Sequence, residues 1–313
     1  MSETKTFGFE EAVVDGVRVL YKDGDRFREI MDIFVSEGKS NLVVISDFDF
    51  TLTKYYQQDK ETRSCSCHMV LEHSTGLMPE SYLTQAKALQ QKYHPIEIDP
   101  DMDMDVKYRH MEDWVNAHNQ LFRESGLKQS TITTAVVNAM ESKSFNMRDE
   151  LASLVSKLTS SNVPLLIFSA GIANVLEHAF KITLDAENLP SNMQVISNRC
   201  IFDENDGSLK DFSQPVLHVY NKSCTAFLDH PFFEQIDDRA NFLLFGDGLG
   251  DLKMSQGLNI LTDQILKFGF VNDESKLGEV LPRFFAEDAY DVIILGDPGL
   301  QFHNHWLEKI CKQ

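Results

Sequence analysis

No run of apolar residues in this chain approaches the roughly 20 that a membrane-spanning helix requires. The opening stretch, Met1 to Glu10, is polar and lacks the apolar segment of a secretory leader. Basic residues are in deficit: 29 Lys and Arg stand against 48 Asp and Glu, giving a formal net charge of −19 and a sequence pI near 4.9. That balance repels nucleic-acid backbones and anionic membranes, so neither is expected as a partner. A small phosphate ester is still admissible, because a local cation can override the global field. Cysteine is sparse and odd in number, five at irregular spacing, which predicts reduced thiols and a cytoplasmic protein. Cys65, Cys67 and His68 could form part of a zinc site, but no second ligand pair with metal spacing follows; a loop or a pocket wall is the alternative. Internal repeats and low-complexity tracts are also absent.

What is present is enough for one large core and a smaller second unit: 313 residues, 42% hydrophobic and 25% charged. Phe27, Ile30, Met31, Phe34 and Val35 recur at helical spacing over residues 25–38, with Gly38 as the stop. Short apolar runs then read as buried strands: Leu42–Ile45, Leu165–Phe168, Val195-Ile196, Phe242–Phe245 and Val292–Leu295. Helical patterns between several of them, such as Leu151, Leu154, Val155 and Leu158, predict an α/β fold with a Rossmann-like parallel sheet covered on both faces. Residues 56–144 break the alternation and show only helical segments, about Ser81 to Tyr93 before Pro95 and about Val106 to Ser125 before Gly126. The expected organisation is a catalytic core of residues 1–55 and 145–313 with an inserted all-helical cap, 56–144. Asn205-Asp206-Gly207 marks the turn of a small hairpin.

The chemistry-bearing residues sit after the predicted strands, where parallel sheets build sites. Asp47-Phe48-Asp49 follows the first run. Two such carboxylates about 4 Å apart at an effective dielectric near 20 repel by about 4 kcal/mol, and an arriving phosphate dianion adds to that. A divalent cation relieves the repulsion, and an all-oxygen donor set suits magnesium. Alone, Asp-x-Asp is ordinarily a solvated or helix-capping pair. A second acidic pair, Asp247 and Asp251, lies in Gly246-Asp247-Gly248-Leu249-Gly250-Asp251, where a flexible acidic loop is the alternative. Ser169-Ala170-Gly171 offers a hydroxyl and backbone N–H groups to an anion, although a simple helix cap has the same pattern. Lys222, in isolation an exposed lysine, gains meaning from the order acidic pair, hydroxyl loop, lysine, acidic pair.

These motifs resemble the haloacid-dehalogenase-like phosphatases, and the wider text is similar to the cytosolic 5′-nucleotidase III (pyrimidine 5′-nucleotidase) family. The phrases that carry the likeness are Ile45-Ser46-Asp47-Phe48-Asp49, Ile167-Phe168-Ser169-Ala170-Gly171, His218-Val219-Tyr220-Asn221-Lys222 and Leu266-Lys267-Phe268-Gly269-Phe270. Tyr290-Asp291-Val292-Ile293 and Pro95-Ile96-Glu97-Ile98-Asp99-Pro100 join them. The resemblance implies Asp47 as nucleophile and Asp49 as acid and then base. It implies Mg2+ held by Asp47, the main-chain carbonyl of Asp49, Asp247 and Asp251, the last directly or one shell out. It implies phosphate contacts from Ser169, Ala170 and Lys222, and base contacts in the cap from His68, Glu80 and Trp114, each of which also has a plain structural reading. The implied activity is hydrolysis of nucleoside 5′-monophosphates, pyrimidine nucleotides such as CMP and UMP or 7-methyl-GMP, by a monomeric enzyme. His68, in place of a larger aromatic, leans towards pyrimidines. The competing classes are a phosphatase of another small metabolite with phosphotransferase side activity, and a silent binding protein on the same fold. Two departures stand out: Gly248 where relatives carry serine, and no glycine near Glu150.

Overall fold

The computed structural model describes residues 4–74, 76–99 and 101–312; Pro100 of the cap phrase lies outside them. Its centre is a nine-stranded sheet in the order β1-β2-β3-β11-β10-β9-β4-β5-β6. Six strands run parallel: β4 (Leu42–Ser46), β5 (Leu165–Ile172), β6 (Met193–Asn198), β9 (Asn241–Gly246), β10 (Ile265–Val271) and β11 (Val292–Leu295). At one edge the antiparallel strands β1 (Thr4–Thr6), β2 (Phe9–Val14) and β3 (Val17–Tyr21) add on through β11. This edge has a sequence signal in Asp15-Gly16 between two β-rich runs: both residues take positive φ, 49° and 81°, as a two-residue hairpin turn requires. β7 (Cys200–Phe202) and β8 (Leu209–Phe212) pair antiparallel around the Asn205-Asp206-Gly207 turn.

Helices cover both faces, as the unbroken apolar strands demand. In β4, Leu42 and Val44 join one core while Val43 and Ile45 join the other. Each such side chain contributes about 1.5–3 kcal/mol by leaving water. The first core packs against α1 (Gly24–Glu37), α6 (Leu151–Ser160), α7 (Ala173–Leu184) and α10 (Gln301–Cys311). The second packs against the short α8 (Pro231–Glu234) and α9 (Leu277–Phe284). Helix α1 starts where the Asp23 side chain accepts from the Arg26 N–H at 3.0 Å and stops at Gly38, φ 76°.

Between Thr53 and Met147, which pair in a bridge, the regular elements among the described residues are all helices: α2 (Cys67–Glu72), α3 (Glu80–Ile98), α4 (Met104–Glu124) and α5 (Gln129–Glu141). Phe48, Phe145, Val136, Phe122 and Tyr82 carry the first core without a break into this helical unit. One expected boundary is corrected: α3 does not end before Pro95 but runs through it to Ile98. Proline there removes a single N–H in the final stretch of the helix, and donors from outside the helix stabilise the last turn, as described below.

Glu150, where a glycine was expected, adopts φ 67° and ψ 8°, the left-handed region. The backbone conformation that favours glycine is thus kept and a side chain endures it. Glu150→Gly is expected to raise stability by about 1 kcal/mol, read as a higher urea midpoint.

Candidate active site

The site forms at the carboxyl ends of β4, β5 and β9. Asp47 follows β4 directly, and its N–H donates to the Phe245 carbonyl of β9 at 2.9 Å, stitching the two acidic loops together. Oxygens of Asp47, Asp247 and Asp251 lie within 4.8 Å of one another, the only such donor group among the described residues. Lys222 reaches in from residues 213–223, which form neither strand nor helix. Its Nζ donates to Asp47 Oδ1 at 2.7 Å and forms a close ion pair with Asp251 Oδ1. Asp251 Oδ2 accepts the N–H groups of Asp247 (3.0 Å) and Gly248 (2.9 Å), so both of its oxygens are engaged. No donor reaches the Asp247 carboxylate among the described residues.

The electrostatics follow from burial and crowding. Burial pushes the Asp47 carboxyl upward, against the pull of Lys222. Burial, then Asp251 and Asp47, drive Asp247 well above the carboxylate range. For Lys222, burial disfavours the charge, yet Asp251 and Asp47 outweigh it and hold the ammonium above the ordinary lysine value. Asp49 is raised by burial to about 6, partly offset by Cys67. Four carboxylates thus face one lysine in a poorly solvated site, and the donors are all oxygen. Such a set fits a hard divalent cation.

Asp49 Oδ1 accepts the N–H of Cys67 at 3.0 Å, at the start of α2, so the helical unit touches the acid/base candidate directly. A β-carbon on Gly171 would stand 3.1 Å from Cys67 Sγ and 3.2 Å from Ser169 Oγ, a tight fit that would press these side chains back by a few tenths of an ångström. Ser169, Ala170 and Gly171 lie in the last residues of β5 rather than opening a helix. The ladder to β6 is interrupted between Phe168 and Ile172, which leaves this stretch out of regular pairing. Ser169 Oγ accepts the Gly171 N–H at 3.0 Å.

Three further residues organise the site. Thr51 Oγ1 donates to Asp47 Oδ2 at 3.3 Å. The Tyr290 hydroxyl donates to the Gly248 carbonyl at 2.5 Å, holding the second acidic loop. Both lie inside or beside phrases already quoted, and their side chains were the signal. Arg148 carried none. Fully buried, it donates to the carbonyls of Phe50 (2.8 Å) and Thr51 (2.7 Å), to Asn272 Oδ1 (2.6 Å) and to Asp297 Oδ1 (2.9 Å). Asn272 adds a second donor to the Phe50 carbonyl at 2.9 Å. Phe50, next to Asp49, sits at φ 61°, and these bonds hold it there. Arg148→Met is expected to cost about 3–5 kcal/mol, measured by urea unfolding, because it strips one charge from a buried pair.

In the helical unit, His68 lies against His118, ring centroids 5.2 Å apart, and burial pulls its imidazole down to about 4. His118 Nε2 meets the Tyr82 hydroxyl at 2.9 Å and Glu72 Oε1 at 3.5 Å. Trp114 stacks on Tyr93 at 5.9 Å, on the same face of α4 as His118. Glu80 begins α3 and is exposed; the carboxylate beside His118 is the half-buried Glu72, raised by that burial. The Cys65 thiol faces His73 Nδ1 at 3.5 Å while the Cys67 N–H goes to Asp49, and among the described residues no group of three metal donors forms around Cys65, Cys67 and His68. All five cysteines are free, and no helix among the described residues is long and apolar enough to cross a membrane.

Comparison with known proteins gives the chain's relatives. A family model described as pyrimidine 5′-nucleotidase (UMPH-1) matches residues 50–311. The 7-methylguanosine phosphate-specific 5′-nucleotidase of Homo sapiens is 34% identical over 297 residues, 94% of this chain and 93% of that protein. The 7-methylguanosine phosphate-specific 5′-nucleotidase A of Xenopus laevis is 33% identical over 87% of this chain and 88% of its own length. Among solved structures, cytosolic 5′-nucleotidase IIIB bound to cytidine superposes with a TM-score of 0.80 at 25% identity, covering 94% of each chain.

Proposed function

The chain belongs to the pyrimidine 5′-nucleotidase (UMPH-1) family, on a haloacid-dehalogenase-like fold, and from that premise we propose a magnesium-dependent, cytoplasmic hydrolase of nucleoside 5′-monophosphates, with pyrimidine nucleotides and 7-methyl-GMP among its substrates. The observation that carries this reading is the buried contact of Lys222 with Asp47 and Asp251 beside the unpaired carboxylate of Asp247.

The Asp47 carboxylate attacks phosphorus, and the bond from phosphorus to the 5′-oxygen breaks. Asp49, with a carboxyl that burial raises to about 6, gives its proton to that oxygen. Asp49 then takes a proton from water, which attacks the aspartyl-phosphate and releases inorganic phosphate and Asp47. Lys222, Ser169 and the N–H groups around Ala170 hold the phosphate oxygens. Asp47, Asp247 and the Asp49 carbonyl would hold the cation, whose chemistry is to neutralise charge on the transferring group. Asp251, with both oxygens engaged, serves one shell out.

The segment 56–144 is the cap, with His68 and Trp114 offering rings to the base. Within it, Glu72 beside His118 is better placed than the exposed Glu80 to accept an N–H from the base. The test is phosphate release from CMP, UMP, 7-methyl-GMP and a sugar phosphate, with magnesium and with chelator. Turnover of the nucleotides that chelator abolishes is expected. Faster turnover of the sugar phosphate would favour the metabolite phosphatase instead. Trp114→Ala is expected to raise KM for nucleotides far more than for an aryl phosphate; equal effects would remove Trp114 from the base site.

A further inference from the structure

The segment that carries Lys222 is gripped from two sides. On the core side its lysine is paired with Asp47 and Asp251. A β-carbon on Gly250 would fall 2.2 Å from the Val219 carbonyl oxygen, so the acidic loop lies flat against the segment. Lys253 Nζ donates to the Tyr220 carbonyl at 3.1 Å, and Asn221 closes the turn through the His218 N–H (2.7 Å) and the Val216 carbonyl (2.8 Å). The core therefore fixes this segment without help from the cap.

On the other side the same segment meets α3 and α4. The Tyr220 hydroxyl donates to the Glu97 carbonyl at 2.5 Å. Lys107 Nζ donates to that carbonyl at 3.1 Å and stands 5.5 Å from the centre of the Tyr220 ring. Tyr108 meets the His218 ring edge-on at 4.5 Å. Glu97 lies in the last turn of α3, where carbonyls lack a helical partner, and these two donors supply one. Lys107 is 6% exposed, a charge buried against a carbonyl, a phenol and a ring face. Cap movement away from the core has to break the Tyr220–Glu97 bond and part Lys107 from the Tyr220 ring and Tyr108 from His218, since the segment itself is tied down; the Lys107–Glu97 bond joins α4 to α3 and keeps the carbonyl facing Tyr220.

We infer that the phosphate-binding segment doubles as the seat of the cap, with Tyr220 and Lys107 as positioning residues that hold α3 and α4 over the site. By fixing the cap they favour phosphate esters large enough to fill it over small ones; this second half rests on the proposed nucleotide reading, the first half does not. Among the described residues, the polar contacts of Tyr220 and Lys107 do not include Asp47, Asp49, Asp247 or Asp251, so small-ester chemistry is independent of them.

The test is Tyr220→Phe in the full chain, with Lys107→Met as a second variant. Losing one hydrogen bond to the carbonyl is expected to raise KM for CMP or 7-methyl-GMP by roughly five- to tenfold. The kcat/KM for p-nitrophenyl phosphate should stay within about twofold, because Lys222 keeps its own anchors. Amide hydrogen exchange in α3 and the start of α4 should quicken in both variants, and the double variant should exceed either single one by little, since both act on one carbonyl. Unchanged exchange in α3 and α4 overturns the seat. Equal losses on nucleotide and p-nitrophenyl phosphate overturn the positioning role in favour of general support. If exchange quickens while the wild type hydrolyses no nucleotide, the seat stands and the substrate reading fails.

Discussion

Asp47→Asn is expected to lower phosphate release by on the order of 10^4-fold or more while the protein folds normally. The amide keeps the shape of the side chain and its place after β4, and Lys222 retains Asp251 as an ionic partner. What is lost is the attacking oxygen. Position, Thr51, Lys222 and the N–H groups around Ala170 all survive, so the residual rate reports binding and electrostatics alone. Steady-state release with a saturating nucleotide, alongside a thermal melt, checks this. A variant with near-normal turnover would remove Asp47 as the nucleophile.

The second large effect separates activity from stability. Asp247 is raised by burial, then by Asp251 and Asp47, so folding without a cation works against its ionisation. The sign follows. A carboxyl that holds its proton more tightly in the folded state costs stability above the unfolded carboxylate range, and that cost fades as pH falls. Asp247→Asn removes the cost. In chelator at neutral pH the variant should be more stable than wild type, read as a higher urea midpoint, and it should be nearly inactive. Magnesium should raise the wild-type melting temperature and leave that of the variant almost unmoved, because ligand-linked stabilisation needs the binding site. A variant stabilised by magnesium as strongly as wild type would show that the cation is held elsewhere.

The parallel part of the sheet was legible because buried strands leave unmistakable apolar runs, as in Leu42–Ile45 and Val292–Leu295. The edge strands β1 to β3 were not read, since their alternation is diluted by Glu10, Glu11 and Arg18, although Asp15-Gly16 marked the hairpin. Pro95 misled because a proline's cost depends on how near the helix end it falls and on what satisfies that end. Here the satisfying groups, Tyr220 and Lys107, come from other segments, and local sequence does not show them. The acidic cluster was legible for a different reason: the sheet delivers the ends of β4 and β9 side by side, so residues far apart in sequence converge by topology alone. Arg148 was opaque because its partners lie after three different strands, β4, β10 and β11. Glu80 and Glu72 show the same limit within the cap. Both are carboxylates near a helix end, and only packing tells that Glu72 turns inward towards His118 while Glu80 faces solvent.

The central claim, that a phosphoryl group passes through Asp47 on its way to water, is tested most directly by the stereochemical course at phosphorus, followed with an isotopically chiral phosphorothioate ester of a nucleoside. Two successive in-line displacements, first by the carboxylate and then by water, give overall retention. Inversion would mean that water attacks the ester in one step, and the covalent route through Asp47 would be contradicted.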